Sequence, residues 1–315
     1  QHVAALGDWL AGRPLAAADR MQAILARWPD DALAMKLGQA IDFVMGRAGS
    51  MRAAADRLAP LWADHPARGY LLGCRAFALE ETGDYAAALR VGEQALALAP
   101  DDAWGLHAVA HVHDMTGRAA AGLAWLEPRR AAWAHCNNFR FHVWWHMALM
   151  QIDLGRCDAA LALYDAEVRA SPTDDYRDIA NAASLLVRLE LEGVDVGRRW
   201  AELADLAERR SGDGCVVFAD LHYLLALLGD GREAAATRLM ARMARTAQGA
   251  GDMDAVTRAP GLGAAQALAA MGRGEHARAA AGLARACAGL QRIGGSHAQR
   301  DVFERLRIEA ALRAG

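Results

Sequence analysis

The repeating unit of this chain is clearest in the stretch Arg75-Ala-Phe-Ala-Leu-Glu-Glu-Thr-Gly83-Asp-Tyr85-Ala-Ala-Ala-Leu-Arg-Val-Gly-Glu-Gln-Ala-Leu-Ala-Leu-Ala-Pro100. Apolar residues recur with a helical period on both sides of Gly83, which predicts two helices joined by a short turn. Glycine suits the left-handed residue that ends a helix, and proline ends the second helix at the outer side. The stretch therefore predicts a helical hairpin.

The same hairpin recurs along the whole chain. Successive turn glycines are 34, 37, 34, 38, 38, 38 and 41 residues apart. They are Gly12, Gly46, Gly83, Gly117, Gly155, Gly193, Gly231 and Gly272. A helix–turn–helix period of about 34 residues is that of tetratricopeptide repeats, and no stretch has the alternating pattern of strands. We expect an all-α, tetratricopeptide-like α-solenoid (a superhelix) of about eight hairpins. A final helix from about Ser296 to Arg313 would complete a single domain over residues 1–315. Within it, residues 248–263 are expected to form a long loop or a partly ordered helix.

Composition excludes several classes of protein. The net charge is −3 and the pI is near 6.4, so a nucleic-acid partner is not expected. No apolar run approaches the roughly 18 residues of a membrane span, and the first residues lack the features of a signal peptide. Lys36 is the single lysine among many arginines, which is typical of a GC-rich bacterial genome. We expect a cytoplasmic protein whose five cysteines are buried, reduced thiols.

Histidines are concentrated in the middle of the chain. Six of the eleven fall between residues 107 and 146, and four of them form the His-x₃-His pairs His107/His111 and His142/His146. Residues four apart on a helix lie on one face, about 5–6 Å apart between their Cβ atoms. Each pair therefore presents two imidazoles in one direction. Because imidazole changes charge near neutral pH and binds metals, the pairs predict a site centred on residues 104–146.

Polar residues extend both pairs along their helix faces. Asp114 continues the first pair at i+7, and Asn138 precedes the second pair by four residues. Trp145 flanks the second pair, whereas His113 points about a third of a turn away and is expected to be a packing or surface histidine. Clustered histidines and carboxylates favour a functional site over isolated core histidines.

Polar residues of several hairpins lie at nearly the same distance before their turn glycines. His107 is ten residues before its turn glycine, and His146, His222 and Ser184 are each nine before theirs. The first helices of stacked hairpins line the concave surface of a solenoid, which is the usual binding surface. We therefore expect these side chains to line one inner wall.

The start of the last helix is a further candidate region. Ser296 is a suitable N-cap, and free amides at a helix start favour an anionic ligand. His297, Arg300 and Asp301 share one helix face, and Arg300 could bind a carboxylate or a phosphate bidentately. If the superhelix curls, residues 220–222 and 296–301 would contribute to the histidine site. The alternative is a segment that only seals the solenoid.

A metal ion is one interpretation of the histidine pairs. His107, His111, His142 and His146 could supply three or four nitrogens to Zn²⁺, Fe²⁺ or Mn²⁺, with a carboxylate completing the ligand set. The hydrolase signature His-Glu-x₂-His is absent, because both pairs enclose apolar residues. A metal-dependent enzyme would use a carboxylate as general base. The candidates for that base are Asp114, Asp220 and Asp301.

Several strings of the sequence are longer and less usual than a generic repeat. They are Phe77-Ala-Leu-Glu-Glu-Thr-Gly-Asp-Tyr85, His107-Ala-Val-Ala-His-Val112, Asn138-Phe-Arg-Phe-His-Val-Trp-Trp-His-Met-Ala-Leu149, Leu161-Ala-Leu-Tyr-Asp165, Asp220-Leu-His-Tyr223 and Gly294-Gly-Ser-His-Ala-Gln-Arg-Asp-Val-Phe303. With them the chain resembles, over nearly its whole length, the tetratricopeptide repeat protein 38 family. The resemblance implies an intracellular helical-repeat protein and supplies no established activity or substrate. The chain departs from the family at His113, where members are apolar, and at its start, where members have more sequence, so the first hairpin is expected to lack a cap.

Three functions are consistent with the pattern. The leading hypothesis is a concave pocket that binds a small polar ligand or a peptide end. Its lining would be His107, His111, Asn138, His142, Trp145, His146, His222, His297 and Arg300. The second hypothesis is a hydrolase-like enzyme that uses a divalent metal bound by the two pairs. The third is a protein–protein adaptor that uses the open groove without the histidines.

Overall fold

The structure, a computed structural model, describes all 315 residues and contains eighteen α-helices and no strand. The helices are α1 His2–Leu10, α2 Pro14–Arg27, α3 Ala32–Val44, α4 Ala48–Leu58, α5 Arg68–Glu81, α6 Tyr85–Leu98, α7 Ala103–Met115, α8 Ala119–Leu126, α9 Phe139–Asp153, α10 Cys157–Leu163, α11 Tyr176–Leu191, α12 Arg199–Arg210, α13 Val217–Gly229, α14 Glu233–Thr246, α15 Asp252–Val256, α16 Leu262–Gly272, α17 His276–Cys287 and α18 His297–Ala314. The all-α prediction is confirmed.

The helices pair as the glycine spacing predicts. The first fourteen form seven consecutive hairpins, α16 and α17 form the eighth, and α18 is the final helix. Residues 248–263, which were expected to form a loop or a partly ordered helix, contain the short α15 and a π-helical turn, Thr257–Gly261. None of the helices combines the length and apolar character that crossing a bilayer requires.

The chain divides into two compact units, Gln1–Met150 and Gln151–Gly315. The first contains α1 to α8 and most of α9, and the second contains the remaining helices. Each unit is an array of helical hairpins of tetratricopeptide length. A single continuous solenoid over the whole chain stays a prediction.

Seven of the eight predicted turn glycines adopt the left-handed conformation, with φ between +66° and +82°. The assignment of the eighth, Gly272, is wrong. Gly272 is the last residue of α16, and the left-handed residue is Gly274, with φ +73°. The physical reason lies in the hydrogen bonds of the turn. The Gly274 N–H donates to the Met271 carbonyl and the Glu275 N–H to the Ala270 carbonyl, as in the hairpin at Gly83.

In the first unit, α5 and α7 approach closely because both helices carry glycine at the contact. A Cβ on Gly73 would meet the Asp102 carboxylate and lie 3.0 Å from the Cα of Gly105. A Cβ on Gly92 of α6 would lie 2.5 Å from Cγ2 of Val109 in α7. The small residues therefore let α5 and α6 pack directly on α7, which brings the end of α5 next to the histidines.

In the second unit, α18 packs against α17 and also against α11. Nη2 of Arg188 donates to the Ala298 carbonyl at 2.7 Å, and Nε2 of Gln299 donates to Oδ1 of Asn181 at 2.9 Å. Ser296 caps α18, since its hydroxyl accepts from the Gln299 N–H. The predicted N-cap and final helix are confirmed.

The cysteines differ in part from the expectation. Cys74 is buried, as predicted, but Cys215 is exposed, and Cys136, Cys157 and Cys287 are half-buried. Cys215 lies in the short connection between α12 and α13, and such connections run over the protein surface.

We expect Gly73→Ala to lower the free energy of unfolding by roughly 1–3 kcal/mol, because the added methyl group forces α5 away from Asp102 and Gly105. The matched control is Gly49→Ala in α4, where a Cβ has no neighbour within 4 Å. Alanine favours the helix there, so the control should be neutral or slightly stabilising. Urea unfolding followed by circular dichroism measures both variants, and equal stabilities would contradict the close approach.

Candidate functional site

The two His-x₃-His pairs face each other in the first unit. Nε2 of His107 lies 2.8 Å from Nε2 of His111 on the same helix and 2.8 Å from Nε2 of His142 on α9. His146 joins them, with its ring centroid 4.4 Å from that of His111. One ring nitrogen from each of the four histidines lies within 4.8 Å of those of the others. The helices α7 and α9 therefore bring together four imidazoles that are separated by up to 39 residues in sequence.

Two carboxylates orient the histidines from outside the cluster. Nδ1 of His146 donates to Oδ2 of Asp114 at 3.0 Å, and Nδ1 of His111 lies 3.5 Å from Oε2 of Glu80 on α5. A carboxylate at Nδ1 holds the proton on that nitrogen, so Nε2 carries the lone pair. Asp114 was expected on the face of the first pair, and it contacts a histidine of the second pair instead.

Glu80 is a site residue that the sequence analysis missed. It lies three residues before Gly83, and Asp114 lies three residues before Gly117. The two carboxylates thus occupy the same position in consecutive hairpins. A comparison of the hairpins at this position, and not only at the histidine positions, would have found Glu80.

The cluster lies in an aromatic and largely water-free environment. The side chains of His107, His111 and His146 are 2%, 0% and 0% exposed, whereas His142 is half-buried. Phe77 stacks on His107 at 5.6 Å and Trp145 stacks on His142 at 5.2 Å between ring centroids. Trp145 and Trp104, the first residue of the predicted site region, were expected beside the histidines, and the contacts of Phe77 and Phe139 were not. Low polarity strengthens every electrostatic interaction inside the cluster.

Burial and charge act differently on His107 and His111, the two histidines that α7 contributes to the cluster. Burial lowers the pKa of His107 well below its usual value, and the neighbouring imidazoles lower it further. Burial is the largest single influence on His111 and opposes its protonation. The hydrogen bond to Glu80 and the combined negative charge of Glu80, Glu81 and Asp114 outweigh it and raise the pKa of His111. His107 is therefore neutral at physiological pH, and His111 is the member of the pair that takes up a proton first.

The contacts of His107 cannot all be satisfied by neutral imidazoles. A ring nitrogen carries either a proton or a lone pair. If His111 holds its proton on Nδ1, its Nε2 is an acceptor, and the one N–H at Nε2 of His107 must serve both His111 and His142. A cation that accepts the lone pair of each Nε2 relieves this competition. The cluster is thus suited to bind a positive charge.

Two further candidates border the cluster. Asn138 is half-buried and immediately precedes the first residue of α9, and its part in the histidine site stays a prediction. His113 is buried and its ring packs against Trp125 of α8, at 6.0 Å between centroids. The expectation that His113 points away from the pair is confirmed.

The other predicted site residues belong to the second unit. His222 donates from Nδ1 to the Phe218 carbonyl at 2.7 Å, and burial lowers its pKa to about 4. The buried Asp220 pairs with Arg242, and Asp301 pairs with Arg305 at 2.5 Å. Arg300 is buried and donates to the Gly295 carbonyl. Asp220 and Asp301 are thus each bound to an arginine, and both their role as a general base and a joint site with the histidine cluster stay predictions.

Known proteins show only a distant structural likeness to this chain. No protein-family model matches the chain. The structure is similar to a tetratricopeptide repeat protein from Parabacteroides merdae ATCC 43184, with a TM-score of 0.44 and 12% sequence identity, over 92% of this chain and 98% of that chain. The resemblance to the tetratricopeptide repeat protein 38 family stays a prediction.

We expect Glu80→Gln to lower the pKa of His111, because the substitution removes the charge that stabilises the imidazolium and leaves its burial unchanged. NMR titration of the histidine ring protons measures the shift. Glu93→Gln removes an exposed carboxylate from α6 and should leave the titration of His111 unchanged. An unaltered pKa in Glu80→Gln would mean that Glu80 does not interact with the ring.

Proposed function

We propose that this helical-repeat protein binds a divalent first-row transition-metal ion through His107, His111, His142 and His146. The observation that carries the proposal is the convergence of one nitrogen from each imidazole, all within 4.8 Å of one another. Imidazole nitrogen is a preferred ligand of Zn²⁺, Cu²⁺, Fe²⁺ and Ni²⁺. Four such ligands make a complete set for a tetrahedral ion.

The distances in the cluster are compatible with an ion after small ring movements. Zinc–nitrogen bonds of about 2.0–2.1 Å separate tetrahedral ligand atoms by about 3.4 Å. Nε2 of His107 lies 2.8 Å from Nε2 of each of two neighbours. These two contacts would therefore widen by about half an ångström, and pairs that lie further apart, within 4.8 Å, would move closer. Rotation of the rings about their side-chain bonds provides both movements.

The carboxylates Glu80 and Asp114 support metal binding over a structural role alone. Histidines that bind metals usually donate their other N–H to a carboxylate or carbonyl, which fixes the tautomer and raises the basicity of the ligand. His111 and His146 both have this partner, at Nδ1. A hydrogen-bonded core histidine needs only one partner and no convergence with three other rings.

The size of the space favours an ion over a small polar ligand. Three of the four rings have almost no solvent exposure, and neighbouring nitrogens lie at contact distance. A molecule with several heavy atoms does not fit between them. The peptide-end hypothesis would therefore need a site on other residues.

A metal-dependent enzyme is the second candidate, and one observation favours it. His142 is the single half-buried ligand, so water or a substrate atom would reach the ion from its side. A catalytic metal site keeps one open position, which here requires that three histidines bind the ion and the fourth stays free. Asp114, the carboxylate nearest the cluster, accepts a hydrogen bond from His146 and acts as an orienting group.

We expect protein purified without a polyhistidine tag to bind about one ion per chain, measured by elemental analysis after dialysis against Zn²⁺. Replacing two ligands, as in His107→Ala with His146→Ala, should lower the affinity at least about a hundredfold. The exposed His135 supplies the control, because His135→Ala removes an imidazole outside the cluster. Substoichiometric metal in the parent protein, or equal affinity in the variants, would refute the proposal.

The affinity should fall on acidification, because the ion and the proton compete for the same nitrogens. The pKa of His111 is raised. The loss of metal affinity should therefore begin at a higher pH than it would for a histidine with the usual pKa of about 6.5. Glu80→Gln should move the midpoint of this loss to lower pH while weakening binding at alkaline pH about 10–100-fold. Isothermal titration calorimetry at several pH values measures both effects, and identical midpoints would show that His111 does not bind the ion.

A further inference from the structure

A separate concave feature lies in the second unit, beside α16 and α17. It is a cavity of about 370 Å³ whose lining includes the apolar residues Pro260 and Ala267. Three arginine side chains line it: Arg258, Arg278 and Arg285. A cavity of this size falls within the range of small-molecule sites.

Positive charge is concentrated in the part of the chain that builds this cavity. Between Thr257 and Arg300 the sequence contains one carboxylate, Glu275, whereas the whole chain has a net charge of −3. The same segment contains six arginines, Arg258, Arg273, Arg278, Arg285, Arg292 and Arg300. The cavity therefore lies in a local excess of cations, which attracts anions.

Most of the lining charge is not neutralised by the protein. Nε and Nη2 of Arg258 donate to backbone carbonyls of residues 247 and 249, which hold the guanidinium in place and leave its charge intact. Arg285 is exposed and makes no hydrogen bond or ion pair. Arg278 contacts Glu275 at 3.0 Å, and that carboxylate also binds Arg273.

We propose that this cavity binds a small organic dianion, either a phosphate monoester or a dicarboxylate. Three guanidinium groups less the charge of Glu275 leave about two positive charges, which match such a ligand. Guanidinium binds phosphate and carboxylate oxygens bidentately, and the apolar lining residues Pro260 and Ala267 suit the carbon part of the molecule. The inference is independent of the metal proposal, since all the residues involved lie in the second unit.

Titration calorimetry with phenyl phosphate tests the site, in low-salt buffer with a chelator so that metal binding does not contribute. Phenyl phosphate should bind with a Kd below about 1 mM, and phenol, which lacks the charge, should not bind. Arg285→Gln should weaken binding about tenfold, because it removes the one lining arginine without a protein partner. Arg245→Gln makes the same charge change on an exposed residue of α14 outside the cavity and should alter the affinity less than about twofold.

A parallel titration with succinate distinguishes the two sources of the dianion. Succinate that binds as well as phenyl phosphate assigns the site to dicarboxylates, and phenyl phosphate binding alone assigns it to phosphate monoesters. The proposal fails if neither compound binds up to about 10 mM. It also fails if Arg285→Gln and Arg245→Gln weaken binding equally, because the attraction would then be general charge and not a built site. Circular dichroism confirms that both variants, which change exposed residues, remain folded.

Discussion

The histidine cluster depends on one constraint, the contact of Nε2 of His107 with two other imidazole nitrogens at 2.8 Å. These contacts exist because α7 and α9 are first helices of consecutive hairpins and present their histidines at nearly the same distance from the turn glycine. The packing of α5 on α7, through Gly73 and Gly105, then adds Phe77 and Glu80. Repetition of one hairpin thus builds a site that no single helix could form.

Electrostatics gives the cluster its chemical character. Burial holds His107 neutral, and Glu80 together with Glu81 and Asp114 overcomes the same burial effect at His111. A buried carboxylate next to a buried imidazole stabilises positive charge, whether it is carried by a proton or by a metal ion. Glu80 therefore accounts for both the hydrogen-bond competition at His107 and the proposed affinity of the cluster for a cation.

The two proposed sites have opposite charge preferences. The cluster in the first unit gathers lone pairs backed by carboxylates, which favours cations. The cavity in the second unit gathers guanidinium groups with a single carboxylate nearby, which favours anions. The cluster uses the first helices of consecutive hairpins, whereas the cavity uses both helices of one hairpin and the turn before it. The residues at a few positions of the repeat thus decide the ligand.

The sequence by itself determined the fold class, the eight hairpins and the pairing of His107 and His111 with His142 and His146. It could do so because helical periodicity and left-handed glycines are local properties, and because equal spacing from a turn places residues of successive hairpins side by side. The error at Gly272 arose because two glycines, Gly272 and Gly274, occur close together and only the hydrogen bonds of the turn distinguish them. Only the tertiary structure decided which side chains contact the candidate residues. Glu80 contacts His111, Asp114 contacts His146, and Asp220 forms an ion pair with Arg242. Those contacts depend on how closely neighbouring helices approach and how side chains turn between them, and helical period carries no information about either.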